Sequence, residues 1–435
     1  MRSLLILCSY LLISSSLFGQ EAPETTQSFV NKFTGKKHKA ASKMLTQDMQ
    51  NLVSTRQMKM LWTGVQTQFG KYEKVVYLST REKEDNRVSE YDLVFEKARF
   101  VLEVAENQDK RIAGFYLKPS GYKLPPYATG ARFGKENIKI KSGEFVLPGE
   151  ILLPLNRKNP PLAILVHGSG PNDRDESIGP TKVFYDLALG LAAEGIATLR
   201  YEKRTKVYDS LYKSAQFGLW EETIEDAIQA VHLAKQSTLI DTANIFIIGH
   251  SLGAMVAPYI GNYSPATGVV MLAGPCRSLA DLIADQSAYM MALDGKMNKK
   301  DKKSLKAIEN RRDKIKRGEF SESDPNADLL GYWPGKYWKS ESIYMPLPQI
   351  DSLAKPLLIL QGGRDYQVDP VKDFNPLKEK CSTKAHCKSA LFESLNHLFI
   401  SGTGAPNPSE YFKQGNVEES VILHIADWIN SNTKR

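Results

Sequence analysis

The spacing of hydrophobic positions changes along the chain, and each change marks a different class of element. Between residues 25 and about 70, apolar positions such as Phe29, Phe33, Met44, Leu45, Leu52, Leu61, Trp62 and Val65 stand scattered in polar sequence, the pattern of helices. Four runs follow, Lys74 to Thr80, Ser89 to Phe95, Ala98 to Glu106 and Arg111 to Leu117, in which β-branched and aromatic residues alternate with polar breaks. Helices followed by a meander predict a small α+β domain over residues 20–118, of a size that folds alone. The Pro-rich stretch that holds Pro119, Pro125 and Pro126 reads as a linker over residues 119–129.

From about Phe133 short apolar runs alternate with amphipathic stretches, which predicts a mostly parallel sheet covered on both faces. The central strands are Leu162 to Val166, Ile196 to Leu199, Ile245 to Ile248, Val269 to Leu272 and Leu357 to Leu360. Helical stripes lie between them, one through Val183, Phe184, Leu187, Ala188 and Leu191, another through Ile224, Ala227, Ile228, Val231 and Ala234. The rhythm breaks from Asp281 to Asp351. Two core strands are separated there by far more than an ordinary connection, so this segment is expected to be an insertion of the lid type. Tyr332, Trp333, Tyr337 and Trp338 cluster near its end and suit either an apolar pocket wall or packing of the insertion onto the core.

Residues 1–19 have the form of a cleavable signal peptide, with Arg2, the apolar run Leu4 to Leu12, and a small-residue exit from Ser14 to Gly19. The run is too short to span a bilayer, no other segment has the roughly 20 apolar residues required, and Cys8 comes too early for a lipoprotein cysteine. The expectation is an exported protein, periplasmic or secreted, without a membrane span. In an oxidising compartment Cys381 and Cys387 are the expected disulfide pair, leaving Cys276 as a buried thiol. The formal net charge of +8 could suggest a nucleic-acid partner, but residues 296–317 hold eleven Lys and Arg against three Asp and Glu, a surplus equal to the whole excess. One basic helix without interleaved aromatics reads as a solvated face, and no nucleic-acid partner is expected.

Candidate chemistry gathers at the carboxyl ends of the sheet strands. Gly249-His-Ser-Leu-Gly253 follows the strand Ile245 to Ile248 and precedes a helical pattern, the order required by a nucleophile elbow with Ser251 at its tip. A serine hydroxyl needs an imidazole to take its proton and a carboxylate to fix the imidazole tautomer. Asp365 follows the strand Leu357 to Leu360, and His397 lies on the last loop, after the strand around Leu391 and Phe392. Asp369 precedes Pro370 and suits a helix N-cap better than the role of catalytic acid. The first core strand runs into His167-Gly-Ser-Gly170, so the N–H groups of Ser169 and Leu252 are the candidate oxyanion donors. The spacing at Gly168 and Gly170 does not continue as a dinucleotide fingerprint, no phosphate-binding loop occurs, and neither cofactor nor metal is expected. Asp173, Arg174 and Asp175 read as loop-ordering charges, and His167, His232, His250 and His424 as structural residues.

With these motifs, residues 130–435 resemble α/β-hydrolases of the bacterial exported esterase type, near the dienelactone-hydrolase and serine-aminopeptidase branches. The resemblance is carried by His167-Gly-Ser-Gly-Pro171 with Asp173-Arg-Asp175, Arg200-Tyr-Glu-Lys-Arg204, Gly249 to Gly253, Gly363-Arg-Asp365 and Asn396-His397. Glu202 stands where such proteins often have aspartate, and Ala254 replaces a frequent third glycine. The module at 20–118 is similar in layout to the cone-shaped domains of nuclear-transport-factor-2 type. The resemblance implies an α/β-hydrolase fold with a lid insertion and a serine carboxylic ester hydrolase that acts on a small-molecule ester through an acyl-enzyme. A serine aminopeptidase with the same triad and a binding protein with a vestigial triad are the alternatives.

Overall fold

The protein is described by a computed structural model over residues 22–83, 85–119, 121–293, 295–325, 328–331 and 333–434. The expected signal peptide at 1–19 and the side chain of Tyr332 lie outside the described residues. The chain divides after Pro119 into two compact units.

In the first unit, helices α1 (Glu24–Thr34), α2 (His38–Ser42), α3 (Gln47–Leu52) and α4 (Thr55–Phe69) precede strands β1 (Tyr72–Lys83), β2 (Asn86–Phe95), β3 (Arg99–Glu106) and β4 (Ile112–Pro119). The strands form an antiparallel meander in chain order. Helix α4 starts in a capping box, where the Ser54 side chain accepts from the Gln57 amide and Gln57 reaches back to the Ser54 N–H. Its core is aromatic: Phe33 packs on Phe29, Trp62 and Phe115, and Trp62 on Tyr72 and Phe95.

The second unit is an eight-stranded sheet with helices on both faces. Its elements in chain order are β5 (Phe133–Ser142), β6 (Phe145–Pro154), β7 (Leu162–Val166), the short hairpin β8 (Ser177–Ile178) and β9 (Thr181–Lys182), α5 (Val183–Ala193), β10 (Ala197–Tyr201), α6 (Arg204–Val207), α7 (Glu225–Ala234), β11 (Ile245–His250), α8 (Leu252–Asn262) and β12 (Gly268–Leu272). The insertion follows as α9 (Leu279–Ala292), α10 (Lys299–Lys316), α11 (Gly335–Tyr344) and α12 (Pro346–Ser352). The unit closes with β13 (Leu357–Gly362), α13 (Asn375–Ser382), β14 (Cys387–Phe392) and α14 (Glu419–Asn432). The sheet order is β14-β13-β12-β11-β7-β10-β6-β5, parallel from β14 to β10 and antiparallel across the β6 and β5 edge.

Buried strands show why near-continuous apolar runs are needed here. Along β11, Ile245 and Ile247 enter the core that holds α7 and α8, while Phe246 and Ile248 enter the opposite core beneath α5 and α14. Trp333, Tyr337 and Trp338 of the insertion are buried in the α8-side core with Leu252 and Phe217, so they pack the insertion down. Helix α10 buries only Ile315, and its cations meet acids at Lys316–Asp281 and Lys314–Asp324, as a solvated face does. Residues 122–127 are tied to the second unit: the Tyr122 hydroxyl donates to Asp186 at 2.6 Å and the Tyr127 hydroxyl to the Val417 carbonyl at 2.9 Å. Among the described residues no helix is long and apolar enough to cross a membrane.

A disulfide joins Cys381 at the end of α13 to Cys387 at the start of β14, and Cys276 is a buried free thiol. Burial, reinforced by the nearby Asp373 carboxylate, pushes the Cys276 thiol up to about 12, so it does not compete as a thiolate. Protein lacking residues 1–19 and denatured without reductant should therefore titrate one thiol; three thiols would rule the bond out. Replacing both bonded cysteines by serine should cost about 2 kcal/mol in chemical denaturation, since so short a loop restricts the unfolded chain only modestly.

Candidate active site

The turn from β11 into α8 is tightly constrained. Ser251 has φ 54° and ψ −117°, a conformation that non-glycine residues rarely adopt. It lifts the serine off the end of the strand, and the flanking residues must then pass very close to backbone. A Cβ on Gly249 would lie 2.2 Å from the Gly253 carbonyl oxygen, and one on Gly253 would lie 2.0 Å from that of Val166. Glycine is obligatory at both positions. The Ser251 amide is anchored to the Leu272 carbonyl of β12 at 2.9 Å, and α8 continues through Pro258 to Asn262.

Asp365 lies in the turn after β13 with its side chain wholly buried. Its Oδ1 accepts from the amides of Gln367 (2.8 Å) and Val368 (2.9 Å), and its Oδ2 from Gln361 Nε2 (2.9 Å) and His397 Nδ1 (2.7 Å). A carboxylate on Nδ1 keeps a proton there, so Nε2 is the basic nitrogen of His397. The loop carrying His397 is shaped by Asn396, whose side-chain oxygen accepts from the amides of Leu398 and Ile400. Asp369 accepts from the amides of Val371 and Lys372, which makes it an N-cap.

The loop after β7 passes beside Ser251, close enough that a Cβ on Gly168 would lie 3.3 Å from the Ser251 Cβ. Two buried carboxylates bracket it. Glu176 accepts from the Gly168 amide at 2.7 Å, and Glu222 from the Gly170 amide at 3.2 Å. Among the described residues the amide between them, that of Ser169, has no hydrogen-bond partner, and neither has that of Leu252 at the first turn of α8. Lys203 donates to the Gly168 carbonyl at 2.7 Å and to Glu222 at 2.6 Å, and Tyr337 of α11 donates to the other Glu222 oxygen at 2.7 Å. The insertion thus holds the same carboxylate that holds this loop.

The remaining motif residues sit behind the loop. Arg200 pairs with Glu150 and Asp175, Arg204 with Asp226 and Glu225, and Arg174 with Glu202 at 2.8 Å. Asp173 accepts from the amides of Asp175 and Ser177, so the Asp173-Arg-Asp175 charges order the loop. His167 bonds the Tyr201 carbonyl at 2.7 Å, and burial lowers its pKa, which keeps it neutral. His250 is more than a buried packing residue: its Nδ1 lies 3.1 Å from Glu176, and its Nε2 lies 3.0 Å from the His397 carbonyl. Lys203 stands out in the sequence only as part of the Arg200 to Arg204 motif, and Glu176, Glu222 and Gln361 do not stand out there at all. The available signal was a polar residue inside an otherwise apolar stretch, as with Gln361 at the end of β13. Among the described residues no group of three His, Cys, Asp or Glu is arranged to hold a metal ion.

Comparison with known proteins finds similarity over both units. A family profile described as a protein of unknown function (DUF3887) matches residues 26–115, within the first unit. Esterase EstD of Thermotoga maritima is 33% identical over 404 residues, which is 92% of this chain and 93% of EstD. Solved structures similar to the chain include Est1E from Butyrivibrio proteoclasticus, at 15% identity and TM-score 0.43 over 68% of this chain and 98% of that one. The Pyrococcus furiosus esterase Pf2001 matches at 15% identity and TM-score 0.44, over 72% of this chain and 96% of that one. A dienelactone hydrolase from Anabaena variabilis matches at 13% identity and TM-score 0.42, over 69% and 99%. The EstD match is long enough to take in both units, and together with the strand order and the turn at Ser251 it places this chain in the EstD family of esterases, hydrolases of the α/β-hydrolase fold.

Proposed function

We propose that the protein is a serine carboxylic ester hydrolase that acts on small-molecule esters through an acyl-enzyme. Ser251 Oγ attacks the ester carbonyl carbon while His397 Nε2 takes its proton. Asp365 holds the imidazole in the required tautomer and stabilises the imidazolium, and the amides of Ser169 and Leu252 receive the oxyanion. His397 then gives the proton to the departing alkoxide and leaves the acyl group on Ser251. A water, deprotonated by His397, attacks that acyl carbon and releases the carboxylic acid and the free serine. The observation that carries this reading is the positive φ of Ser251 at the end of β11, with the bonded pair Asp365 and His397 on the loops after β13 and β14. Ligands of open parallel sheets bind outside these strand ends.

We assign hydrolysis to residues 130–435 and an accessory role to the module at 20–118. The signal-like sequence at 1–19 and the disulfide support export.

Ser251→Ala should lower kcat/KM by about ten-thousandfold or more with an unchanged circular-dichroism spectrum. A fluorophosphonate should label Ser251, and labelling of a different serine would refute the assignment. A panel of short-chain esters and aminoacyl anilides separates the two hydrolytic readings: esters should be preferred, and preference for the anilides would make the protein a peptidase. A chain beginning at Gly121, which keeps the Tyr122 and Tyr127 anchors, should hydrolyse small esters within about threefold of the full protein. If that chain folds and is inactive, the first unit is part of the catalytic apparatus.

A further inference from the structure

Glu176 and His250 form a buried pair where three loops meet, and the triad reading gives them no task. Each side chain is 2% exposed. One Glu176 oxygen accepts from the Gly168 amide at 2.7 Å, and the other lies 3.1 Å from His250 Nδ1, while His250 Nε2 lies 3.0 Å from the His397 carbonyl. Both ring nitrogens of His250 therefore face acceptors. With Glu176 ionised, a neutral imidazole, which has a single N–H, would set its bare nitrogen against one of those oxygens, so the geometry calls for the imidazolium. A buried carboxylate in turn needs an opposite charge.

We propose that Glu176 and His250 are positioning residues whose ion pair keeps the oxyanion loop and the base loop in register around Ser251. Glu176 fixes Gly168 and, through it, the adjoining Ser169 amide. His250 fixes the main chain of His397 and, through it, the ring that must reach Ser251. The pair holds both loops only while it is charged. The inference rests on the serine-hydrolase reading above.

The electrostatics run the same way. Burial alone would lower the pKa of His250, but the adjacent Glu176 charge and hydrogen bond, with the His397 carbonyl and Asp365, raise it above the ordinary value. Burial alone would raise that of Glu176, but His250 and the Gly168 amide bring it below the ordinary carboxylate range. The titratable groups that bear on the pair are thus His167 after β7, Asp365 after β13 and His397 after β14. A raised histidine pKa means that the pair is complete below it and lost as pH rises through it.

The test combines pH profiles of kcat with 15N NMR of the His250 ring in the full-length protein. In the wild type, kcat should show an alkaline limb, and His250 should carry protons on both ring nitrogens at pH 7 and lose one in parallel with that limb. Glu176→Gln keeps an oxygen for the Gly168 amide but removes the charge. It should lower kcat about tenfold or more, a fraction of the roughly hundred- to thousandfold worth of an oxyanion donor, and move the alkaline limb to lower pH. KM should stay within about twofold, because ground-state contacts are untouched. Glu176→Asp restores the charge and should recover part of kcat. A folded Glu176→Gln enzyme with wild-type kcat and alkaline limb overturns the proposal, and so does a singly protonated His250 at pH 7. The second measurement needs only the wild type, so it decides the matter even where the variant does not fold. Failure of the underlying reading is separable, since Ser251 of the wild type would then not react with a fluorophosphonate.

Discussion

Everything around the site depends on one unfavourable backbone conformation, the left-handed turn at Ser251. Such a residue costs of the order of 1–3 kcal/mol and persists only where its surroundings over-determine it. Here the determinants can be counted. The Ser251 amide is held by β12, the close approach of Gly249 to Gly253 is open only to glycine, and Gly253 passes against the end of β7. Three adjacent parallel strands therefore meet at this turn, and the loops that follow β7, β13 and β14 surround it.

The second constraint is the burial of charge behind the loop after β7. Lys203 and Glu222 are 1% and 0% exposed as side chains, and Arg204 and Asp226 are 2% and 1% exposed. Pairs of this kind add little net stability, because desolvation offsets most of their attraction. They do impose geometry, since each atom left without its partner would be costly. In this protein that geometry falls on a loop whose amides must point in defined directions. Glu222 takes the Gly170 amide, Glu176 the Gly168 amide, and Lys203 the Gly168 carbonyl, so the backbone on either side of Ser169 has no freedom to turn.

The insertion joins the same network. Its aromatic cluster is core, buried against α8 and Phe217, and the Tyr337 hydroxyl reaches Glu222. Glu341 on the same helix α11 accepts from the Leu279 amide at the start of α9, and burial pushes its carboxyl up to about 7. The insertion is thus fastened to the carboxylate that holds the loop after β7, while α10 buries only Ile315.

The sequence alone determined the order of the central strands and helices and the strand ends at which chemistry could gather. Periodicity and glycine placement are local properties, and a parallel strand buried on both faces announces itself as a short apolar run. The edge hairpin β5 and β6 escaped that reading, because its strands run ten residues with mixed polarity where they lie at or near the sheet edge. Only the tertiary structure decided which polar residues serve the site. Glu176 is 74 residues from His250, and His250 is 147 from the carbonyl it meets; Tyr337 is 115 from Glu222. Nothing in the local pattern distinguishes these side chains from ordinary surface charges or turn residues. Their roles arise from burial and from the pairing that burial enforces, and both exist only once the strands have aligned and the loops have closed over their ends.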